Sequence, residues 1–315
     1  MIAIGIDIGG TSIKGAAVYD DGRTLDVFSL PVNKGDSGEQ TINQLIDLVE
    51  KYLAQHDLQD KIVGIGLGIP GTLDVDRGVV IYSANLKWEN LPIVDLFKQR
   101  LPYRVRISND ANVAALGEAK FGAAKGVPYS IMLTLGTGVG GGIVLDGKLY
   151  EGNQGQGAEM GHMVVEMNGR QCGCGRKGCM EAYASATAII RDTNEAMARH
   201  PNSLMHEVAK DLGKVDGRVA FKAARQGDVA ALEVVDQYVF YLCEGILNYC
   251  NIFRPNLVIL SGGIANEGDY LFDKINNYLA LQQYGYPKSP VVKVVPAQLG
   301  YDSGKIGAAS LLFEL

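Results

Sequence analysis

The stretch that most constrains this 315-residue chain is residues 162–181, HMVVEMNGRQCGCGRKGCME. Three of the five cysteines, Cys172, Cys174 and Cys179, fall inside it, with Gly173, Gly175 and Gly178 between them. Glycine lets a backbone turn tightly enough to aim several thiolates at one point. With His162 upstream, three thiolates and one imidazole make a closed tetrahedral set that suits a structural Zn²⁺. The alternatives are a redox pair or buried thiols. A redox pair carries two residues between its cysteines, whereas Cys172 and Cys174 have one. A glycine-rich loop bearing Arg176 and Lys177 is a poor place for core thiols. The run MVVEM reads as a strand, so His162 is expected at its start and the thiols in the loop beyond it.

Such a loop needs a body to carry it. A chain of this length accommodates two lobes with separate cores. A hydrophobic content of 47% and a charged content of 20% fit a soluble globular protein. No segment approaches the ~20 uninterrupted apolar residues that span a bilayer, so no membrane association is expected. The sequence opens on IAIGIDIGG, without a basic region before it or a cleavage pattern after it. A cytoplasmic location is therefore expected, where reduced thiols bind metal rather than pair. A net charge of −6 and scattered Lys and Arg argue against nucleic acid.

Taken in order, residues 2–8 run apolar as a buried strand does, Gly9–Ser12 form a turn, and 13–19 continue as a strand. Asp21-Gly22 is a hairpin signal before a strand over 23–30. A polar loop spans 31–39, a helix 41–53, and strands 62–69 and 79–82. A helix is expected over 91–101, a strand over 103–107 and an alanine-rich helix over 111–121. The pattern then restarts: strand 130–135, glycine turn 136–140, strand 141–145, and Asp146-Gly147 as hairpin signal. Two copies of one supersecondary unit suggest two related lobes; shared hairpin chemistry is the alternative. Beyond the cysteine loop come a helix over 182–199, a polar, glycine-containing loop or short-helix region over 212–228 and a strongly apolar helix over 230–253. Cys243 and Cys250 lie two turns apart on one face of that helix, as core residues do. A strand over 256–260, a turn at 261–263, a helix over 270–279, a strand over 291–296 and a small-residue helix over 307–312 complete the chain.

Several residues in this pattern carry chemistry. No Gly-x4-Gly-Lys-Ser/Thr occurs, which excludes a P-loop. Gly136-x-Gly138-x-x-Gly141 matches the dinucleotide fingerprint, but GIVLDGKLY after it is a β pattern where that fingerprint requires a helix. Glycine turns between strands still wrap phosphates with backbone N–H groups, and one such turn stands in each half. Asp7 interrupts an apolar strand, so its carboxylate needs a cation or hydrogen-bond donors. Asn109-Asp110 precedes the alanine-rich helix, where either residue caps well.

Glu159-x-Gly161-His162 followed by Cys172-Gly-Cys174-Gly-x-x-Gly-Cys179-x-Glu181 resembles the signature of the ROK family (repressors, open reading frames and kinases). The resemblance extends to both glycine turns and to SNDANVAALGE, and is nearest in style to the glucokinase branch. It implies an α/β, two-lobed actin/hexokinase-like (ribonuclease H-like) fold. The expected lobes are 1–117 with 301–315, the helix at 307–312 crossing back, and 118–300 with the zinc loop. It implies ATP-dependent phosphorylation of a hexose at the 6-hydroxyl, with glucose first and an N-acetylhexosamine or fructose as alternatives. Asp110 would be the general base; a helix N-terminus is expected to keep it ionised. Gly71, Asn85, Asn109, Asp110, Glu159, His162 and Glu181 would bind the sugar. His162 would give one ring nitrogen to the metal and the other to the sugar. Gly9, Gly10, Thr11 and Lys14 would face the phosphates from one side, Gly136, Thr137 and Gly138 from the other, and Gly262-Gly263 would hold the adenosine. Asp7 would face Mg²⁺ through water. For Asp7 a structural hydrogen bond stays open, for Lys14 a solvated strand lysine, for Gly262-Gly263 an ordinary turn, and for Glu159 and Glu181 surface acids. A homodimer is a family expectation. Repressor members carry an N-terminal helix-turn-helix, for which the strand at Ile2 leaves no room, so a sugar-responsive repressor is disfavoured.

Overall fold

The structure is a computed structural model that describes residues 1–33 and 35–313; Lys34, in the expected polar loop, and the last two residues of the expected 301–315 segment lie outside the described residues. The elements in chain order are β1 (Ile2–Ile8), β2 (Ser12–Tyr19), β3 (Phe28–Pro31), α1 (Gly38–Gln55), β4 (Ile62–Ile69), β5 (Thr72–Asp74), β6 (Val79–Ser83), β7 (Trp88–Leu91), α2 (Ile93–Lys98), β8 (Val105–Asn109), α3 (Asp110–Phe121), β9 (Ser130–Leu135), β10 (Val139–Leu145) and β11 (Lys148–Tyr150). They continue with α4 (Glu181–Ala184), α5 (Ala186–Arg199), α6 (Met205–Leu212), α7 (Arg218–Arg225), α8 (Val229–Phe253), β12 (Leu257–Ser261), α9 (Asp269–Gln282), β13 (Lys293–Pro296) and α10 (Ser303–Ser310).

Two five-stranded sheets carry the fold, ordered β3-β2-β1-β4-β8 and β11-β10-β9-β12-β13. The orders are the same once the second is renumbered, so the restarting sequence pattern reflects a duplicated architecture. The chain divides into two compact units: Met1–Pro128 with Gly142–Ala158 and Gln298–Leu315, and Tyr129–Gly141 with Glu159–Ala297. Relative to the division at 117/118 and 300/301 expected from sequence, the first unit also takes in residues 118–128, residues 142–158 and Gln298 to Gly300. The packing gives the reason: a methyl on Gly142 would meet the Ala115 side chain of α3 at 2.5 Å, so the β10–β11 hairpin lies directly on that helix.

In the first unit, β1 shows why a strand covered on both faces reads as an apolar run. Ile4, Ile6 and Ile8 pack with Leu45, Ile46 and Val49 of α1 and Phe97 of α2. Each such side chain, once buried, contributes roughly 1.5–3 kcal/mol. The odd residues Ala3, Gly5 and Asp7 point the other way, by the period of two, toward α10 and α3. There the packing is backbone on backbone. A methyl on Gly5 would lie 1.8 Å from the Lys305 carbonyl oxygen, and one on Gly66 of β4 would lie 1.8 Å from that of Ala308. This close approach is why α10 reads SGKIGAAS. Helix α1 starts with a capping box in which Ser37 and Gln40 satisfy each other's backbone N–H, a device that stabilises a helix by about 1 kcal/mol.

In the second unit, the 25-residue α8 packs with α5, α7 and α9. Cys243 and Cys250 are buried on it, and burial pushes the Cys250 thiol up to about 11. Among the described residues the five cysteines are all free.

Three local expectations need correction. MVVEM is not a strand: Val164 makes a single bridge with Cys179, and His162 ends a short 3-10 turn, Met160–His162. Residues 23–30 supply only the start of β3 at Phe28 and a bridge at Thr24. The expected helix over 91–101 is shorter, because Leu91 ends β7 and Pro92 precedes the first turn. The loop or short helix expected over 212–228 contains the short helix α7, whose buried face is Val219, Ala220, Phe221, Ala223 and Ala224.

Candidate functional site

The first unit gathers its polar groups at the ends of β1, β2 and β8. Asp7 and Lys14 are direct cross-strand partners in the β1–β2 ladder, so their side chains share a face. That face is the one covered by α10, and a methyl on Gly304 would lie 2.7 Å from the Asp7 carboxyl carbon. Burial raises the Asp7 pKa to about 6, the nearby Asp110 carboxylate adds to the rise, and Lys305 and Lys14 oppose it. Lys14 is exposed, its ammonium 6.0 Å from the centre of the Tyr301 ring. Between β1 and β2, the turn Gly9–Gly10–Thr11 is tied by Gly9 N–H to Ser12 O at 3.0 Å and by Val32 N–H to Thr11 O at 3.0 Å. Asn85, from the β6–β7 connection, stands beside Gly10, 3.7 Å from where a methyl there would be.

Asn109, the last residue of β8, is the N-cap of α3 and accepts from Ala111 N–H at 2.9 Å and Asn112 N–H at 3.4 Å. Its amide donates to Gly71 O at 3.4 Å. Gly71 has φ +123°, and a methyl there would sit 2.3 Å from Tyr82 O, so only glycine fits. Capping by Asn109 leaves Asp110 as the first residue of the helix, with one carboxylate oxygen accepting from Ala111 N–H at 2.9 Å. Burial nevertheless raises the Asp110 pKa, outweighing the backbone donors. The helix N-terminus expected to favour the charged form is opposed here by desolvation, which is the larger effect. Sequence reasoning missed Lys305, an ammonium buried in α10 and paired with Asp302. A lysine inside a small-residue helix was the available signal.

The second unit brings together Glu159, Gly161, His162, the three cysteines and Glu181. The 3-10 turn carrying His162 is pinned by the buried Tyr249 hydroxyl, which donates to Met160 O at 2.7 Å. Glu159 immediately precedes this turn, and His162 N–H returns to Glu159 O at 3.1 Å. The ligand atoms of His162, Cys172, Cys174 and Cys179 all lie within 4.8 Å of one another. His162 Nδ1 is 3.6 Å from Cys172 Sγ, and Cys174 Sγ is 3.6 Å from Cys179 Sγ. A tetrahedron built on Zn–S bonds of about 2.3 Å has edges of about 3.7 Å, so the donor set fits a zinc ion. Without a cation, burial raises the Cys172 thiol to about 12; a metal favours the thiolates that burial disfavours. Gly178 closes the loop: its φ is +80°, and a methyl there would lie 1.8 Å from Glu166 O. Arg170 clamps the loop from outside, bonded to Asp192 at 2.8 Å and stacked 4.9 Å from the Tyr183 ring centre.

Glu181, at the start of α4, faces two ways. One carboxylate oxygen lies 3.5 Å from Cys172 Sγ and 4.0 Å from His162 Nδ1. The other accepts from Val139 N–H at 3.0 Å, and a methyl on Gly138 would collide with it at 2.2 Å. The metal loop and the Gly136–Thr137–Gly138 turn are thus adjacent. The Gly262-Gly263 turn follows β12, with Gly262 at φ +94° and no room for a methyl against Leu135 O, at 2.4 Å. Both glycine turns therefore meet at the ends of the neighbouring strands β9 and β12.

Two sheets of one order, each with a glycine turn between its first two strands, and half-buried carboxylates at strand and helix ends define the actin/hexokinase-like fold of phosphotransferases. The ROK family model matches residues 3–314, and the chain belongs to the ROK family. It is 39% identical to a glucokinase of Thermotoga maritima, over 99% of this chain and 97% of the relative. It is 36% identical to a glucokinase of Halalkalibacterium halodurans, over 98% and 94%. The crystal structure of a ROK family glucokinase from Streptomyces griseus in complex with glucose and AMPPNP superposes with a TM-score of 0.80 at 33% identity, covering 99% of both chains.

Proposed function

We propose that the chain is an ATP-dependent hexose kinase that phosphorylates glucose at its 6-hydroxyl, with its two compact units as the two lobes. Full-length similarity to glucokinases supports the activity. The observation that carries the mechanism is Asp110, a half-buried carboxylate whose pKa desolvation raises, held after β8 at the start of α3, which Asn109 caps. A raised pKa makes a better proton acceptor than an ordinary carboxylate. In this reading Asp110 takes the proton of the 6-hydroxyl as that oxygen bonds to the γ-phosphorus and the bond from γ-phosphorus to the β,γ-bridging oxygen breaks, releasing ADP. Asn109, Gly71, Asn85, Glu159, His162 and Glu181 hold the sugar hydroxyls. The backbone amides of the Gly9–Thr11 and Gly136–Gly138 turns, with Lys14, hold the phosphates, and Gly262-Gly263 the adenosine. Asp7 holds Mg²⁺ through water, and that ion neutralises charge on the phosphates; the raised Asp7 pKa, which a cation would lower, supports this.

His162, Cys172, Cys174 and Cys179 hold a structural Zn²⁺. Nδ1 is the imidazole nitrogen that faces Cys172, which leaves Nε2 for the sugar. We read the protein as cytoplasmic, homodimeric and without nucleic-acid partners; the net charge of −6 supports the last. No helix among the described residues is long and apolar enough to cross a membrane.

The test is a coupled ADP-release assay over glucose, mannose, fructose, N-acetylglucosamine and N-acetylmannosamine. The highest kcat/KM is expected for glucose, with product phosphorylated at position 6. A preference of about tenfold or more for an N-acetylhexosamine or fructose would replace the glucose assignment.

A further inference from the structure

The Gly136–Thr137–Gly138 turn has little packing of its own. A methyl on Gly136 would meet nothing within 4 Å, and the nearest atoms to one on Gly138 would belong to the Glu181 side chain. Two glycines in three residues leave such a turn many conformations to lose when a ligand orders it. The turn is closed by Gly136 N–H donating to Gly138 O at 3.0 Å, which leaves the Thr137 and Gly138 amides for a ligand, and it is held from outside by a short segment just beyond the metal loop. Glu181 accepts from Val139 N–H at 3.0 Å, Ala186 N–H donates to Gly136 O at 2.8 Å, and the Thr187 hydroxyl donates to Thr137 O at 2.7 Å. The bonds from Ala186 and Thr187 take the turn's carbonyls, the groups that an anionic ligand does not want. They leave orientation of the turn's amides, the groups it does want, to the geometry so fixed.

Thr187 is the unusual member of this set. A helical threonine ordinarily returns its hydroxyl to the carbonyl four residues back, as Thr193 does to Ile189 O at 2.7 Å and Thr41 does to Ser37 O at 3.1 Å. Thr187 is in the first turn of α5, where Ser185 already caps Ala188 N–H. Its hydroxyl instead leaves the helix and reaches Thr137, fifty positions away in sequence. The residue is exposed, so this bond is not the satisfaction of a buried polar group.

We propose that Thr187 is a positioning residue: by holding the Thr137 carbonyl it pre-orders the glycine turn for the phosphates of the nucleotide. The proposal rests on the kinase reading, in which that turn binds ATP. Pre-ordering lowers the entropy lost on binding, so its removal weakens the nucleotide and not the sugar.

The experiment compares the parent, Thr187→Val and Thr187→Ser. ATP affinity is measured by calorimetry, KM for ATP and for glucose by steady-state kinetics, and melting temperature on the same preparations. Thr187→Val keeps the branched shape and removes the hydroxyl. Its Kd and KM for ATP are expected to rise about fivefold, the worth of one hydrogen bond, with KM for glucose within about twofold of the parent. Thr187→Ser restores the hydroxyl and is expected to return ATP affinity to the parent value. Unchanged ATP affinity in Thr187→Val would overturn the proposal. So would equal losses for ATP and glucose accompanied by a lower melting temperature, since those mark a structural role alone. Should the parent turn over none of the hexoses, the kinase reading falls, while the ATP titration still decides the role of Thr187.

Discussion

Asp7 and Asp110 are two carboxylates with one problem, desolvation, and the consequences differ. The Asp7 pKa rises from 3.8 to about 6. A carboxylate raised in the folded state costs nothing below its unfolded pKa, and the penalty on folding grows as pH rises through the unfolded value and is complete above the folded one. Between pH 4 and 6 the ligand-free protein therefore accumulates a penalty on the order of 3 kcal/mol from this group. Asp7→Asn is expected to raise the melting temperature at pH 8, to make no difference at pH 4, and to abolish phosphoryl transfer. A variant equally stable to the parent at both pH values would contradict the desolvation account. For Asp110, Asn109 already provides the helix cap, so Asp110→Asn is expected to leave the melting temperature unchanged or higher. Its kcat is expected to fall by roughly 10²-fold or more, with Kd for ATP retained. Activity within a few-fold of the parent would remove Asp110 from the role of base.

At the scale of elements, the pair α3–α10 decides how closely the chain's last helix approaches β1. A methyl on Gly307 would lie 1.6 Å from Val113 O, against backbone that cannot rotate away. Gly307→Ala is expected to destabilise by about 1–3 kcal/mol or more, as overpacking does, read by urea unfolding. It is also expected to lower activity, because the face being forced apart is the one that holds Asp7. Wild-type stability in this variant would show that the two helices adjust freely. The sequence carried this element as a run of small residues. Of the three-stranded sheet β5-β6-β7 it carried only β6, because strands of three and four residues such as β5 and β7 are too short for periodicity to register.

For the molecule as a whole, a metal held by this set would tie the turn carrying His162 to the loop ending at Cys179. The purified protein is expected to hold about one zinc per chain. Cys179→Ser is expected to lower both zinc content and the affinity for sugar, since Glu181 follows two positions later. Metal analysis of protein prepared without added metal, with KM for glucose on the same samples, checks both. A folded, active, zinc-free sample would eliminate the metal.

Local chemistry was legible where it depends on neighbours in sequence. The cysteine spacing, the glycine turns, the apolar run broken by Asp7 and the restarting strand–turn–strand pattern all express constraints that act within a few residues. The four metal-site donors and the two sheets of one order follow from them. Tertiary structure decided what depends on which surface covers which. The MVVEM run has strand-like residues yet finds only one bridge partner, because the loop folds back on Cys179 rather than along a sheet edge. Asp110 sits at a helix start that on its own would stabilise its charge, and burial by the rest of the first unit reverses the direction. Thr187 has no local signature that separates it from other helix residues, and the one that Lys305 has, a lysine in a small-residue helix, does not say which group it faces. Asp7, which the Lys305 charge acts on, and Thr137, which Thr187 bonds, lie 298 and 50 positions away, and only the packing of α10 on β1 and of α5 on the glycine turn brings these groups together.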